Sequence, residues 1–106
     1  MGGHMQGLER GVSTVAIGQF SAGEDKNANL REIERLAQKS AENEAKMLFL
    51  PEYSMYYAKV NARSKNIEAA EPCDGPFIIA LGELCRRYGL WIAAGMYERT
   101  DGLPYN

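Results

Sequence analysis

The sequence predicts an α/β fold built on a β-α-β-α-β segment. Three observations predict it. Short β-branched or continuously apolar runs occupy residues 12–20, 46–50 and 90–97. Two stretches with helical spacing of apolar residues lie between them. Capping and turn residues punctuate the boundaries. Strands that alternate with helices in this way argue for a parallel sheet with right-handed crossovers.

The first strand is Val12 to Phe20 (VSTVAIGQF), rich in β-branched residues and bounded by Gly11 and the turn-like Ser21-Ala22-Gly23. Asp25-Lys26-Asn27 then offers N-cap chemistry, because a short side-chain oxygen can accept an orphan helix N–H. Leu30, Ile33, Leu36, Ala37 and Ala41 follow at helical spacing, with Arg31, Glu32, Arg35, Lys39 and Glu42 on the other side. This is an amphipathic helix running to about Glu44, one face packed and one face wet. Lys46 to Leu50 is a nearly continuous apolar run, suited to a strand buried on both faces. Pro51 stops it, since proline cannot donate to the ladder.

Glu52 to Glu71 reads as irregular, and long loops in compact domains are often functional. Asp74-Gly75-Pro76 supplies a cap and a first-turn proline for the second helix. Phe77, Leu81, Leu84, Cys85 and Tyr88 form its inner face. Arg86 and Arg87 complement the macrodipole in its last turn, and Gly89 is the C′ residue. Leu90 to Tyr97 is the third strand, followed by turn chemistry at Thr100-Asp101-Gly102 and a new element beginning near Tyr105-Asn106. Residues 1–11 read as a vector remnant and disordered lead, and residues 12–106 as one domain portion.

If the strands add in one direction, both helices cover the same face. Leu48 and Leu50 oppose Met47 and Phe49, and Ile92, Ala94 and Met96 oppose Trp91 and Tyr97, so both faces of the later strands are apolar. Three five-residue strands leave roughly 250 Å² of flat sheet bare at standard strand spacings. Monomers seldom leave so much apolar surface wet. A second layer is therefore expected, from the rest of a longer chain or from partner subunits.

Composition narrows the function. The 106 residues are 45% hydrophobic and 25% charged, which is ordinary for one globular domain. Fourteen acids against twelve bases give a net charge of −2, a poor match to nucleic acid. No apolar run approaches the roughly 20 residues of a membrane span. Two cysteines and no secretory signal point to free thiols in the cytoplasm. The single histidine, His4, falls in the remnant, so neither a histidine-based triad nor a His-ligated metal site is expected, and no cofactor is implied.

Glu52 is the strongest candidate. It lies just beyond the carboxyl end of a buried strand, where open α/β folds bind ligands. Desolvation beside apolar and aromatic groups is what raises a carboxylate's pKa, which suits a general base. The plain alternative is a polar turn residue after Pro51. Tyr53, Tyr56 and Tyr57 line a pocket or pack the loop onto the body, with nothing to separate the two. Cys73 precedes a helix N-terminus but has no base beside it, and Cys85 reads as core. Their twelve-residue separation is no metal-ligand spacing. Lys59 and Lys65 have no positional argument. Gly18, Gly23 and Gly95 make neither a dinucleotide fingerprint nor a P-loop.

Four blocks carry a resemblance. They are Val15-Ala16-Ile17-Gly18-Gln19-Phe20; Asp25 with Asn29-Leu30; Met47-Leu48-Phe49-Leu50-Pro51-Glu52-Tyr53; and Trp91-Ile92-Ala93-Ala94-Gly95-Met96-Tyr97-Glu98 with Tyr105-Asn106. In this order and spacing they resemble the N-terminal part of the nitrilase superfamily of carbon–nitrogen hydrolases, continuously over residues 14–106. The resemblance implies an incomplete piece of an α-β-β-α sandwich, which would supply the missing layer. It implies a Glu-Lys-Cys catalytic set in which Glu52 is the general base, with Tyr53 a substrate-pocket residue. It implies an amide or nitrile substrate and a homo-oligomer. The family's lysine and cysteine come from later segments, and Cys73, Cys85, Lys59 and Lys65 lack the matching surroundings. The chain is therefore expected to carry the base without the nucleophile.

Two rivals stand beside that reading. A non-catalytic α/β interaction module, or a catalytically dead homologue, is distinguished by the coding sequence past Asn106. A flavodoxin-like ligand domain should show phosphate-cradling glycines or hydroxyls at its strand ends, where this chain has Pro51-Glu52-Tyr53.

Overall fold

The computed structural model describes the backbone of residues 4–10, 13–100 and 103–105, and the side chains of residues 14–99. A four-stranded sheet runs in the order β1 (His4–Arg10), β2 (Ser13–Gln19), β3 (Met47–Phe49), β4 (Trp91–Ala93). The last three strands are parallel, and β1 pairs antiparallel with β2. The crossovers carry α1 (Lys26–Glu42), α2 (Ala62–Ala69) and α3 (Pro76–Tyr88). A separate hairpin follows, β5 (Glu98–Thr100) and β6 (Leu103–Tyr105). The expected β-α-β-α-β segment is present, as an incomplete α/β unit.

Helix α1 forms as its pattern predicts. The Asp25 carboxylate accepts from the Asn27 and Ala28 amides at 3.0 and 3.2 Å. Ile33, Leu36 and Ala37 are fully buried, while Arg31, Gln38 and Lys39 face water. Glu44 takes the left-handed conformation just past the C-cap Asn43, which closes the helix. Ala16 of β2 and Leu48 of β3 pack with Leu36, Ala37, Ala45 and Leu90 in one buried cluster. Each fully buried leucine there contributes about 1.5–3 kcal/mol.

The opposite sheet face is uncovered among the described residues. Register places Val15, Met47 and Trp91 in one row and Ile17, Phe49 and Ala93 in another, all on that face. Trp91 is 76% exposed and Phe49 40%. Large apolar side chains in a continuous row on a sheet are covered in a finished domain, in agreement with the second layer expected from the sequence.

Three expectations need correction. The lead expected to be disordered contains β1, whose backbone pairs from His4 with Gln19 to Arg10 with Ser13. Residues 62–69, expected to be irregular, form α2. Only Ala69 of that helix is buried, so it lacks the apolar stripe that marks a helix in sequence. Helix α3 starts within Asp74-Gly75-Pro76 as expected, with Gly75 as its N-cap and Pro76 in its first turn, and the carboxylate of Glu71 accepts from the Phe77 amide at 2.7 Å. Buried Glu71 also pairs with Lys26 at 2.7 Å, tying the start of α1 to the start of α3. The third strand is shorter than expected, because the chain leaves the sheet after Ala93. At the other end of α3, Gly89 adopts the left-handed C-cap conformation that its type favours. Of the expected turn, Asp101 and Gly102 lie outside the described residues, as does Asn106.

Candidate active site

Glu52 sits in the turn that leaves β3, at the carboxyl ends of the parallel strands. The Leu50 amide donates to the Ala93 carbonyl at 2.9 Å, continuing the β3–β4 pairing up to Pro51. The chain then turns, with the Ser54 hydroxyl donating to the Pro51 carbonyl. The Met55 amide donates to the Gly95 carbonyl at 3.3 Å. The loop is thus sewn to the extension of β4 on both sides of Glu52.

A second set of bonds reaches the loop from α1. Asn29 is only 4% exposed, and each polar atom of its amide is used. Its Nδ2 donates to the Gly23 carbonyl at 3.0 Å and the Met55 carbonyl at 2.8 Å, while its Oδ1 accepts from the Gly23 amide at 2.9 Å. The Tyr57 amide also donates to the Gly23 carbonyl, at 3.0 Å. Buried amides must be satisfied in this way. Here their satisfaction fixes where the Glu52 loop lies. Met55 and Tyr56 anchor it further, in the buried cluster that includes Ile33, Phe77, Leu81 and Leu84.

The three candidate tyrosines divide. Tyr56 is buried, with its hydroxyl toward the Glu24 carboxylate at 3.5 Å. Burial, then the Glu24 charge, raises its pKa above the usual phenol value. Tyr53 and Tyr57 are partly exposed at 38% and 39%. Their rings lie 5.5 Å apart, and Tyr53 stacks on Tyr97 at 6.0 Å. Burial raises the Tyr97 pKa, with further contributions from Tyr53 and from the negative charge of Glu52. Glu52 directly precedes Tyr53, whose ring packs with those of Tyr57 and Tyr97. Raised phenol pKa values keep the Tyr56 and Tyr97 hydroxyls neutral throughout the physiological range.

Glu52 itself is exposed. The apolar enclosure expected around it is not supplied by the described residues. Cys73 is exposed and Cys85 half-buried on α3, and neither belongs to the Glu52 loop. Lys65 pairs with Glu24 at 3.0 Å, and Lys59 is exposed. Among the described residues no cluster of three metal-ligating side chains occurs, and no helix is long and apolar enough to cross a membrane. A cavity of about 250 Å³ lies between α1 and α3, lined by Leu30, Glu34, Ala80, Glu83, Leu84 and Arg87. Its charged groups are already paired, Arg87 with Glu34 at 2.7 Å, and it shares no residue with the Glu52 loop.

Sequence reasoning passed over Glu71, Gly95 and Tyr97 as site-building residues, and took Asn29 only as part of a resemblance. Gly95 carried a usable signal, since a glycine at a strand end often marks a close backbone approach. Asn29 and Glu71 carried none, because their partners lie 26 and 45 residues away.

The family model for Carbon-nitrogen hydrolase matches residues 14–106. The chain is 34% identical over 95 residues to the nitrilase and fragile histidine triad fusion protein NitFhit of Drosophila melanogaster, covering 89% of this chain and 20% of that protein. It is 34% identical over 83 residues to the deaminated glutathione amidase of Yersinia enterocolitica, covering 78% and 28%. The fold matches the crystal structure of C. elegans NitFhit with a TM-score of 0.71 at 20% identity, over 87% of this chain and 23% of that one. It matches XC1258 of Xanthomonas campestris, a CN-hydrolase superfamily protein with an arsenic adduct in its active site, with a TM-score of 0.67 at 21% identity, over 100% and 35%. The chain spans between a fifth and a third of the length of the curated relatives it matches. The chain belongs to the carbon–nitrogen hydrolase family.

Proposed function

We propose that this chain is the N-terminal portion of an enzyme that hydrolyses a non-peptide amide or nitrile carbon–nitrogen bond by a Glu-Lys-Cys thiol mechanism, and that Glu52 is its general base. The observation that carries the reading is the placement of Glu52. It is a carboxylate at the carboxyl edge of a parallel sheet, on a loop held from both sides, next in the chain to Tyr53, whose ring packs with those of Tyr57 and Tyr97.

In this reading Glu52 takes the proton of a cysteine thiol supplied by a later part of the protein. The thiolate attacks the carbonyl carbon of an amide, and a lysine from that later part stabilises the oxyanion. The carbon–nitrogen bond breaks as Glu52 returns its proton to the departing nitrogen, leaving a thioester. Water then adds to the thioester carbon, giving up a proton to Glu52. The carbon–sulfur bond breaks, and that proton restores the thiol. Tyr53 forms part of the wall against which the substrate lies. The later part of the protein also lays a second sheet on the face that carries Phe49 and Trp91, closing the cleft around Glu52. The enzyme works in the cytoplasm as a self-associating protein.

The test is product release from a panel of three: ammonia from acetamide or benzonitrile, and cysteinylglycine from deaminated glutathione. The full-length protein is expected to turn over at least one of them, and the 106-residue chain none. Turnover by the short chain, or a full-length sequence without a lysine and a cysteine at strand ends, contradicts the proposal. The second outcome favours a non-catalytic module.

A further inference from the structure

We propose that Gly95 is a positioning residue for Glu52, acting through a bridge that runs from Gly95 through Met55 to Asn29. The inference rests on the assignment of Glu52 as the base.

Gly95 lies two residues beyond the end of β4, where the chain has left the sheet. Its φ is not positive, so no left-handed turn explains a glycine there. The space around it does. A methyl group built on Gly95 would overlap the Glu52 carbonyl oxygen, with the Glu52 carbonyl carbon at 2.6 Å and its Cα at 3.2 Å. The obstacle is main chain, which cannot rotate aside as a side chain would. Gly23 and Gly82 differ: nothing lies within 4 Å of a methyl at Gly23, and only a flexible arginine end lies near one at Gly82, at 3.7 Å.

The same Gly95 holds the loop by its carbonyl, which accepts from the Met55 amide. Met55 is fully buried, and its own carbonyl accepts from Asn29. Both backbone polar groups of Met55 are thus held, one by the extension of β4 and the other by α1. Glu52 stands three residues before that fixed point and in van der Waals contact with Gly95. A side chain at position 95 pushes directly on the Glu52 main chain. Loss of the Asn29 amide frees the far end of the loop.

Displacing a catalytic group by about 1 Å can cost about 10²-fold in rate. The experiment uses the full-length protein and the panel member it turns over fastest. Gly95→Ala is expected to lower kcat by about 10–100-fold, with KM little changed and the acidic limb of the kcat/KM pH profile moved. In a Glu52→Gln background, Gly95→Ala should alter the residual rate by less than about twofold, because the group it displaces is gone. Gly82→Ala should keep the wild-type kcat. If Gly95→Ala does not give soluble protein, Asn29→Ala carries the same double-mutant cycle, with the same expected pattern.

A variant that slows the enzyme equally in both backgrounds overturns the positioning role, as does one with unchanged kcat and pH profile. Should Glu52→Gln alone retain the wild-type rate, the base assignment fails. If Glu52→Gln is inactive while Gly95→Ala is normal, only the present inference fails.

Discussion

Glu52→Gln in the full-length protein is expected to lower kcat by about 10²–10⁴-fold, the range supplied by a positioned general base. The amide keeps the size of the carboxylate and loses its ability to accept a proton. Glu52 is exposed, and among the described residues its side chain makes no hydrogen bond that holds the loop, so the variant should fold as the parent does. KM should change little, because proton transfer to and from the thiol belongs to the chemical steps. Steady-state product release and a thermal melt of the same preparation check both halves. A full-rate variant removes the mechanism, and a rate loss with a lowered melting temperature makes the residue structural.

The largest effect on stability is expected at Phe77. Its side chain is 1% exposed and joins Ile33 of α1, Leu81 and Leu84 of α3, and Met55 and Tyr56 of the Glu52 loop in one cluster. Phe77→Ala should cost about 3–5 kcal/mol, combining lost transfer energy with the cavity left behind. That is a large share of the 5–15 kcal/mol typical of a folded domain. Urea unfolding should show a lower midpoint with an unchanged slope. Because the cluster also seats Met55, the variant should lose activity in proportion to its unfolded fraction. A loss below about 1 kcal/mol would mean that the cluster is less tightly packed than its burial indicates.

The legible parts of this fold were those written in local pattern. Helix α1 was readable because its apolar residues recur at helical spacing and Asp25 stands where its carboxylate can cap. Gly89 was readable because a left-handed C-cap favours glycine. The bare sheet face was readable from strands apolar on both sides. Helix α2 was not, since a polar helix that buries only Ala69 leaves no periodic trace. The start of α3 was readable from Gly75-Pro76, but the carboxylate that serves its first turn was not, because the nearest one in sequence is not the nearest in space. Glu71 reaches the Phe77 amide from across the turn. At the candidate site, Glu52 could be picked out by its position after a strand-ending proline. Asn29 could not, because its grip on Met55 exists only once α1 has packed on the sheet.

The central claim is that the chain presents Glu52 at a strand's carboxyl edge to a nucleophile supplied from elsewhere in the protein. An experimental structure of the full-length protein tests it most directly, through the separation between the Glu52 carboxylate and the nearest cysteine sulfur at a strand end. The account predicts hydrogen-bond reach, about 2.6–3.2 Å or one intervening water, inside a cleft closed by a sheet laid over Phe49 and Trp91. A Glu52 carboxylate that still faces solvent, with no thiol or lysine near it, would contradict the account.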